Sequence, residues 1–480
     1  MSKNDYQLKE LEKLVSLAKR RGIIFPSSEI YGGLSSVWDY GPIGVEIKRN
    51  VKNLWWKSFV TDRDDIFGID ASILMHPDVW KASGHLDSFS DPLVECSVTG
   101  KRYREDHIFI LEIQTKKEKK LITIEASDKD EAKKLVKDKI ISITPLTESK
   151  NKENPSPEGG ILSEPRNFNL MFKTFIGPVE DSSSTVYLRP ETAQAMFVNF
   201  VNVLNTSRKK LPFGIAQQGK SFRNEITPGN FTFRTREFEQ MEMEFFCKLD
   251  ETSKWLKYWC EQRMKWFESL GINKDKLRLR AHGDDELAHY SSACFDIEYK
   301  FDFGWSEIEG IADRGTFDLD KHMKASNKKL TYFDQPNNEH FVPAVVEASA
   351  GVDRVILTIL ADAFTQEDVN GDPRTVLKLS PKIAPIKVAV FPLMNKNNMP
   401  EIAQKIVDEI RLAGIACFYD TGGSIGKRYR RQDEAGTPYG ITVDHDTLED
   451  NTVTLRDRDT MEQIRIPISK IIKTITEKIN

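Results

Sequence analysis

LPFGIAQQGKSFRNEITPGNFTFRTREFEQMEMEFF, residues 211–246, decides the fold. Two extended arms, Phe213 to Glu225 and Phe231 to Phe246, flank Thr227-Pro228-Gly229-Asn230. Pro presets φ there and Gly accepts positive φ, so the stretch predicts a long hairpin. The second arm alternates: Arg234, Arg236, Phe238, Gln240, Glu242 and Glu244 share one face, while Met241, Met243 and Phe245 share the other. Arg223 and Glu225 share a face of the first arm by the same period of two. One side is core, and the other offers guanidiniums, an aromatic ring and carboxylates. Guanidiniums suit phosphate oxygens, a Phe ring suits a purine, and carboxylates suit an ammonium group. A solvated face laced with cross-strand ion pairs has the same composition, so the order of the residues must discriminate.

Phe222-Arg223-Asn224-Glu225, a loop, then Arg234-Thr235-Arg236-Glu237-Phe238 resembles motif 2 of the class II aminoacyl-tRNA synthetases. With FEQMEMEFF following, it is similar to the glycyl-tRNA synthetase family. FPSSEIYGGLSSVWDYGPIG (25–44), ASGHLDSFSDPLVECSVTGKRYREDH (82–107), LRPETAQ (188–194) and VVEASAGVDRVILTILADAF (345–364) carry the same resemblance. It covers nearly the whole chain except a Lys- and Glu-rich stretch at about 112–165, which reads as a small strand-helix-strand insertion and loop. The fold class it implies is α+β: an antiparallel-sheet catalytic domain over 1–365, a linker over 366–384, and an α/β anticodon-binding domain over 385–480.

The resemblance also implies roles. Glu191, Glu242 and Glu347 hold the ammonium of glycine, with Arg104, Phe238, Glu239, Gln240, Met241, Ser349 and Gly351 completing that pocket. Arg223 takes the α-phosphate of ATP, Arg234 and Arg354 the outer phosphates. Phe238 stacks on adenine, and Glu225 reads its amino group. Asn224, Phe233, Thr235, Arg236, Glu237, Ile308, Gly351, Val352 and Asp353 surround the nucleotide, and Glu307 is the Mg²⁺ or nucleotide ligand. Val352 to Arg354 open a helix, whose free N–H groups suit phosphate. Arg314 either reaches the substrate carboxylate or is a buried ion-pair partner. In TGGSIGKRYRRQDEAGTPYGITVD (421–444), Lys427, Arg428, Arg430 and Arg431 form a basic patch with Tyr429 interleaved, which suits a single-stranded RNA loop.

Composition bounds the rest. With 480 residues and 39% hydrophobic content, the chain can bury a large core in two or three domains. A formal charge of −4 argues against coating the surface with nucleic acid, so RNA must meet local patches. Five scattered cysteines with no CxxC predict neither a disulfide framework nor a zinc site, and suit a reducing cytosol. Cys96 stands alone where many bacterial relatives have paired cysteines, and His282, His289 and His322 make no convincing metal cluster. No apolar run approaches a membrane span. The expectation is a cytoplasmic, homodimeric glycine–tRNA ligase using ATP and Mg²⁺. A non-catalytic RNA-binding relative and a seryl, threonyl or prolyl enzyme are the alternatives that pyrophosphate exchange separates.

Overall fold

The computed structural model describes residues 10–479 apart from 117, 127, 128, 150, 152, 227, 228 and 284–291. The start of the opening helix at Gln7, the turn residues Thr227 and Pro228, and His289 lie outside the described residues. The site is built on one seven-stranded sheet. Its strands are β1 (Ile66–Ile69), β2 (Phe213–Phe222), β3 (Glu237–Cys247), β4 (Leu277–Ala281), β5 (Ala293–Phe301), β6 (Gly304–Gly315) and β7 (Ala344–Gly351). Their spatial order is β4-β5-β6-β7-β3-β2-β1, antiparallel throughout except for β1 beside β2.

Helices α1 (Glu10–Arg20), α2 (Pro42–Trp56), α3 (Ala193–Val198), α4 (Phe200–Ser207), α5 (Thr252–Ser269), α6 (Phe317–Ser326) and α7 (Val352–Ala363) cover it. Met241, Met243 and Phe245 project from β3 into a core with Leu14 of α1, Trp55 of α2, Trp259 of α5 and Ile356 of α7. That is the apolar half of the alternation. The other face is split along the strands. Phe213, Ile215, Phe246 and Val345 bury against Phe197, Phe200 and Leu319 of α3, α4 and α6, and further along the same strands the face turns polar. The sheet thus carries a core on one side and half a core, half a site, on the other.

The hairpin is shorter than its alternation suggests. β2 stops at Phe222 and β3 begins only at Glu237. Asn230 and Phe231 have φ of 54° and 59°, a left-handed conformation that no strand accommodates. Arg223, Glu225, Arg234 and Arg236 therefore belong to the connecting loop, with Gly229 and Arg234 exchanging backbone hydrogen bonds across it.

α2 starts with Pro42 as its first residue, where a missing N–H costs nothing. Gly44 in its first turn lies against the Ile23 carbonyl, and a Cβ there would come within 1.9 Å of that oxygen. Gly44→Ala is expected to lower stability by about 1–3 kcal/mol through forced displacement of α2. A urea melt that leaves the midpoint unchanged would contradict this packing.

The charged insertion is a three-stranded sheet, strands Ile108–Gln114, Lys119–Glu125 and Lys139–Pro145, with the helix Lys129–Leu135 between the last two. The sequence reading had one strand fewer. Residues 366–384, read as a linker, include most of the hairpin Phe364–Val369 with Asp372–Leu377, and Leu379, Ile383 and Ala384 join the core of the large sheet. The C-terminal region contains β8 (Val388–Pro392), α8 (Met399–Leu412), β9 (Cys417–Tyr419), α9 (Ile425–Ala435), β10 (Tyr439–Val443), β11 (Thr452–Asp457) and β12 (Gln463–Pro467), in sheet order β9-β8-β10-β11-β12. All five cysteines are free, and no helix among the described residues is long and apolar enough to cross a membrane.

Candidate active site

Cross-strand register lines up the polar face in rows. One row runs Gln217, Glu242, Ser349, Gly310, Asp296 over β2, β3, β7, β6 and β5. The next runs Ile215, Glu244, Glu347, Ala312, Cys294. Residues directly opposite one another share a face, so segments far apart in sequence converge here. Glu347, Ser349 and Gly351 do share one face, by the alternation of β7.

The carboxylate of Glu242 is fixed in place by its neighbours. One oxygen accepts from the Ser349 hydroxyl (2.6 Å) and the Gln240 amide (2.8 Å), and the other from the Thr192 N–H (2.9 Å) and its hydroxyl. Gln240 is in turn oriented by the Ser221 hydroxyl at 2.7 Å. Burial and the nearby charge of Glu191 raise Glu242 above the usual carboxylate range. Glu191 itself, against the upward pull of burial, is held below that range by His85 and Arg314. It accepts from Gln194 at 3.0 Å and lies 3.4 Å from His85 Nε2.

Arg314 is 4% exposed and is a buried ion-pair partner: it forks onto Asp318 (2.7 and 2.9 Å) and reaches Glu347 at 2.7 Å. With those acceptors it supports the pocket wall. Gln194 ties Asp318 (3.1 Å) to Glu191, and His322 bonds the Gln194 carbonyl at 2.8 Å. Burial pushes His322 down, toward its neutral form.

A cleft beside these carboxylates is lined by Arg223, Glu225, Phe233, Arg234, Thr235, Phe238, Gln240, Glu307, Ser349, Gly351, Asp353 and Arg354. Arg223 lies between the rings of Phe238 and Phe89, 5.4 Å from each centroid. Arg354 covers the Phe233 ring at 4.4 Å and pairs with Glu307 at 3.2 Å. Desolvation would raise Glu307, but Arg354, Arg223 and Arg234 hold it below the usual range. An exposed, ionised oxygen donor beside a phosphate-type cleft fits a hard divalent cation.

Other predicted residues are tied to protein partners or buried. Glu239 and Met241 fall on the opposite face of β3: Glu239 pairs with Lys48 (2.9 Å) and Lys52 of α2, and Met241 is in the core. Glu237, on that same face, pairs with Lys220 at 2.7 Å. Ile308 and Val352 are buried in the apolar core. Asp353 lines the cleft but is tied to the Tyr40 hydroxyl (2.6 Å) and the Glu239 N–H (3.0 Å). Arg236 bridges the carbonyls of Ser35 (2.7 Å) and Glu225 (3.1 Å), and the Asn224 N–H is bound to the Leu170 carbonyl. Arg104 is clamped by Asp91 and Asp106, within electrostatic reach of Glu225. In α9, Arg428 is 3% exposed and donates to the carbonyls of Pro392 and Gly423, because it shares the inner helix face with Gln432 and Ala435. Arg431 pairs with Asp420 at 2.5 Å. The exposed basic patch is correspondingly smaller, with Lys427 at its head.

His282 bonds Asp296 at 2.7 Å and, with Cys294, forms the one group among the described residues that brings three potential metal ligands together. The Arg280 guanidinium already pairs with Asp296 at 3.3 Å. Missed by the sequence reading were His85, Thr192, Gln194, Asp318 and His322. Asp318 carried no helical signal with Arg314, because Arg314 lies at the end of β6 and Asp318 at the start of α6. His85 had no local signal.

The chain is 51% identical over 471 residues to the glycine–tRNA ligase of Caldanaerobacter subterraneus subsp. tengcongensis, covering 98% of both chains. The chain belongs to the glycine–tRNA ligase family. The ligases of Clostridium acetobutylicum (52% identity, 98% of this chain and 99% of that one) and Staphylococcus haemolyticus (50%, 98% and 99%) agree. The family model "tRNA synthetase class II core domain (G, H, P, S and T)" matches residues 174–363, and "Anticodon binding domain" matches 387–478. A prolyl-tRNA synthetase from Cryptosporidium parvum, solved with halofuginone and AMPPNP, has a TM-score of 0.64 at 14% identity, covering 99% of this chain and 78% of its own. That likeness is one of fold. As a member of the glycine–tRNA ligase family, this chain is an aminoacyl-tRNA synthetase with a class II core.

Proposed function

We propose that the polar face of the sheet activates glycine with ATP and passes it to the 3′ end of the glycine-accepting tRNA. The observation that carries the reading is the meeting of Glu191, Glu242 and Glu347 beside the Arg223–Phe238 cleft. The carboxylates take the ammonium, and Ser349 and Gln240 keep Glu242 aimed. Arg223 takes the α-phosphate, Phe238 stacks on adenine, and Arg234 and Arg354 take the outer phosphates. A glycine carboxylate oxygen attacks the α-phosphorus, that P–O bond forms, and the bond to pyrophosphate breaks. The nucleophile is already an anion, so the side chains need only orient and neutralise charge. Glu307 would hold Mg²⁺ with the nucleotide, and the ion supplies charge neutralisation on phosphate oxygens. A pocket with no room for a β-carbon excludes larger amino acids sterically.

A homodimer in the cytoplasm belongs to the same reading. Its support is the exposed apolar loop with Ile30 (89% exposed), Tyr31 (86%) and Leu34 (63%) ahead of α2. Sedimentation giving only a 55.0 kDa species at micromolar concentration would remove it. Lys427 and Arg430 would meet the anticodon loop.

The test is amino-acid-dependent ATP–pyrophosphate exchange with glycine, alanine and serine. Exchange is expected with glycine alone, and Glu191→Gln is expected to lower kcat/KM for glycine about 100-fold, the size of one lost charge-assisted contact in a dry site. Exchange driven by alanine or serine, or undiminished in Glu191→Gln, would refute the assignment.

A further inference from the structure

The ammonium pocket holds more carboxyl groups than cations. Glu191, Glu242, Glu244, Glu347 and Asp318 converge on it, and Arg314 pairs with two of them. The other groups facing this cluster are His85 against Glu191, His322 within electrostatic reach of Asp318 and held toward its neutral form by burial, Arg223 and Arg189 within reach of Glu242, and the Cys294 thiol within reach of Glu347. Glu242, Glu244 and Asp318 are buried and Glu191 and Glu347 only slightly exposed, so ionising all five together is strongly disfavoured.

Glu244 is the extreme case. It lies directly across from Glu347 and two residues from Glu242, on the row where the polar face meets Ile215 and the Phe213–Phe246 cluster. It is wholly buried, and neither carboxyl oxygen has a hydrogen-bond partner among the described residues. An ionised carboxylate there would be dry, unpaired and opposed by Glu347. Burial first, then the Glu347 charge, push it well above the usual range. Burial also lifts Glu347, to about 7, against the pull of Arg314 and with help from Glu242 and Glu191.

We propose that glycine enters this pocket by displacing a proton: the empty site holds one on Glu347 and another on Glu244, and the substrate ammonium replaces the first while Glu244 keeps its own. The inference rests on the assignment of Glu191, Glu242 and Glu347 to glycine. The Glu347 O–H bond breaks, its proton leaves to the solvent, and the carboxylate pairs with the ammonium. No other bond changes. Glu244 is a positioning residue: a neutral acid that closes the floor without adding a charge that would hold Glu347 protonated.

A proton competing with substrate raises KM and leaves kcat alone. With Glu347 titrating at about 7, glycine affinity is gained as pH rises through that value. The glycine KM in pyrophosphate exchange at saturating ATP is therefore expected to be about tenfold higher near pH 6 than near pH 8, with kcat changed less than about twofold. The same limb is expected in His85→Asn, whatever that change does to the plateau. The infrared difference between wild type and Glu244→Gln, both uniformly labelled with ¹³C-glutamate, is expected to contain the carbonyl stretch of a protonated carboxyl near neutral pH. A pH-independent glycine KM, a limb that vanishes in His85→Asn, or a difference spectrum with only ionised-carboxylate bands would each overturn the proposal. If Glu244→Gln does not fold, the wild-type and His85→Asn profiles still decide it. Absence of any glycine-dependent exchange near pH 8 would instead sink the underlying functional reading.

Discussion

Arg223→Ala is expected to reduce adenylate formation by about 10²–10³-fold in kcat while leaving the fold intact, the usual cost of removing one preorganised donor to developing charge. Among the described residues its guanidinium donates to one acceptor, the Pro190 carbonyl at 3.1 Å, and otherwise spans the Phe89 and Phe238 rings. Little in the resting protein depends on it. Its position in the loop between β2 and β3, at the mouth of the cleft, leaves the other donors free for an incoming phosphate. Single-turnover formation of glycyl-adenylate measures the effect directly. A loss below about tenfold would mean that the α-phosphate is held by other groups, Arg234 and Arg354 first among them.

Arg314→Met is expected to damage both stability and activity. The guanidinium is 4% exposed and answers Asp318 and Glu347 together, so its removal leaves the Asp318 carboxylate buried without a cation and the Glu347 carboxyl without its donor. Breaking a buried pair in this one-sided way costs about 3–5 kcal/mol. Asp318 also receives Gln194, which holds Glu191, so the ammonium site should loosen with it. Urea unfolding checks the first effect, and the glycine KM of any folded variant the second. A midpoint shift worth under about 1 kcal/mol would show that Asp318 takes up a proton instead of standing unpaired.

These effects mark what was legible in the sequence. The faces of β3 and β7 were, because a period of two survives any tertiary context: Glu242, Glu347 and Ser349 lie where alternation puts them. The limits of the hairpin were not, because Asn230 and Phe231 turn left-handed inside a stretch that otherwise alternates. A contiguous motif also blurs the two faces of a strand, which is why Glu239 and Met241 entered the pocket on paper while their side chains face α2 and the core. Arg428 was read as surface from composition, although helical spacing with Gln432 turns it inward. The support network was invisible for a different reason. His85, Gln194 and His322 touch the site through contacts more than 100 residues apart, and no local pattern encodes such contacts.

The rows that cross the sheet restrict how this gene can change length. A one-codon change of length within β3 would replace Gln240, Glu242 and Glu244 on the pocket side by Glu239, Met241 and Met243 for a shift one way, or by Met241, Met243 and Phe245 for a shift the other way, carrying thioethers to where carboxylates stand. Neighbouring strands cannot absorb such a slip, since each row is assembled from all of them at once. Length can vary only where the chain has left the sheet. The parallel pair β1 and β2 provides that place, because parallel neighbours need a long crossover in any case. The three-stranded insertion lies inside that crossover, between residues 70 and 212, where growth of the chain leaves the register of the site untouched.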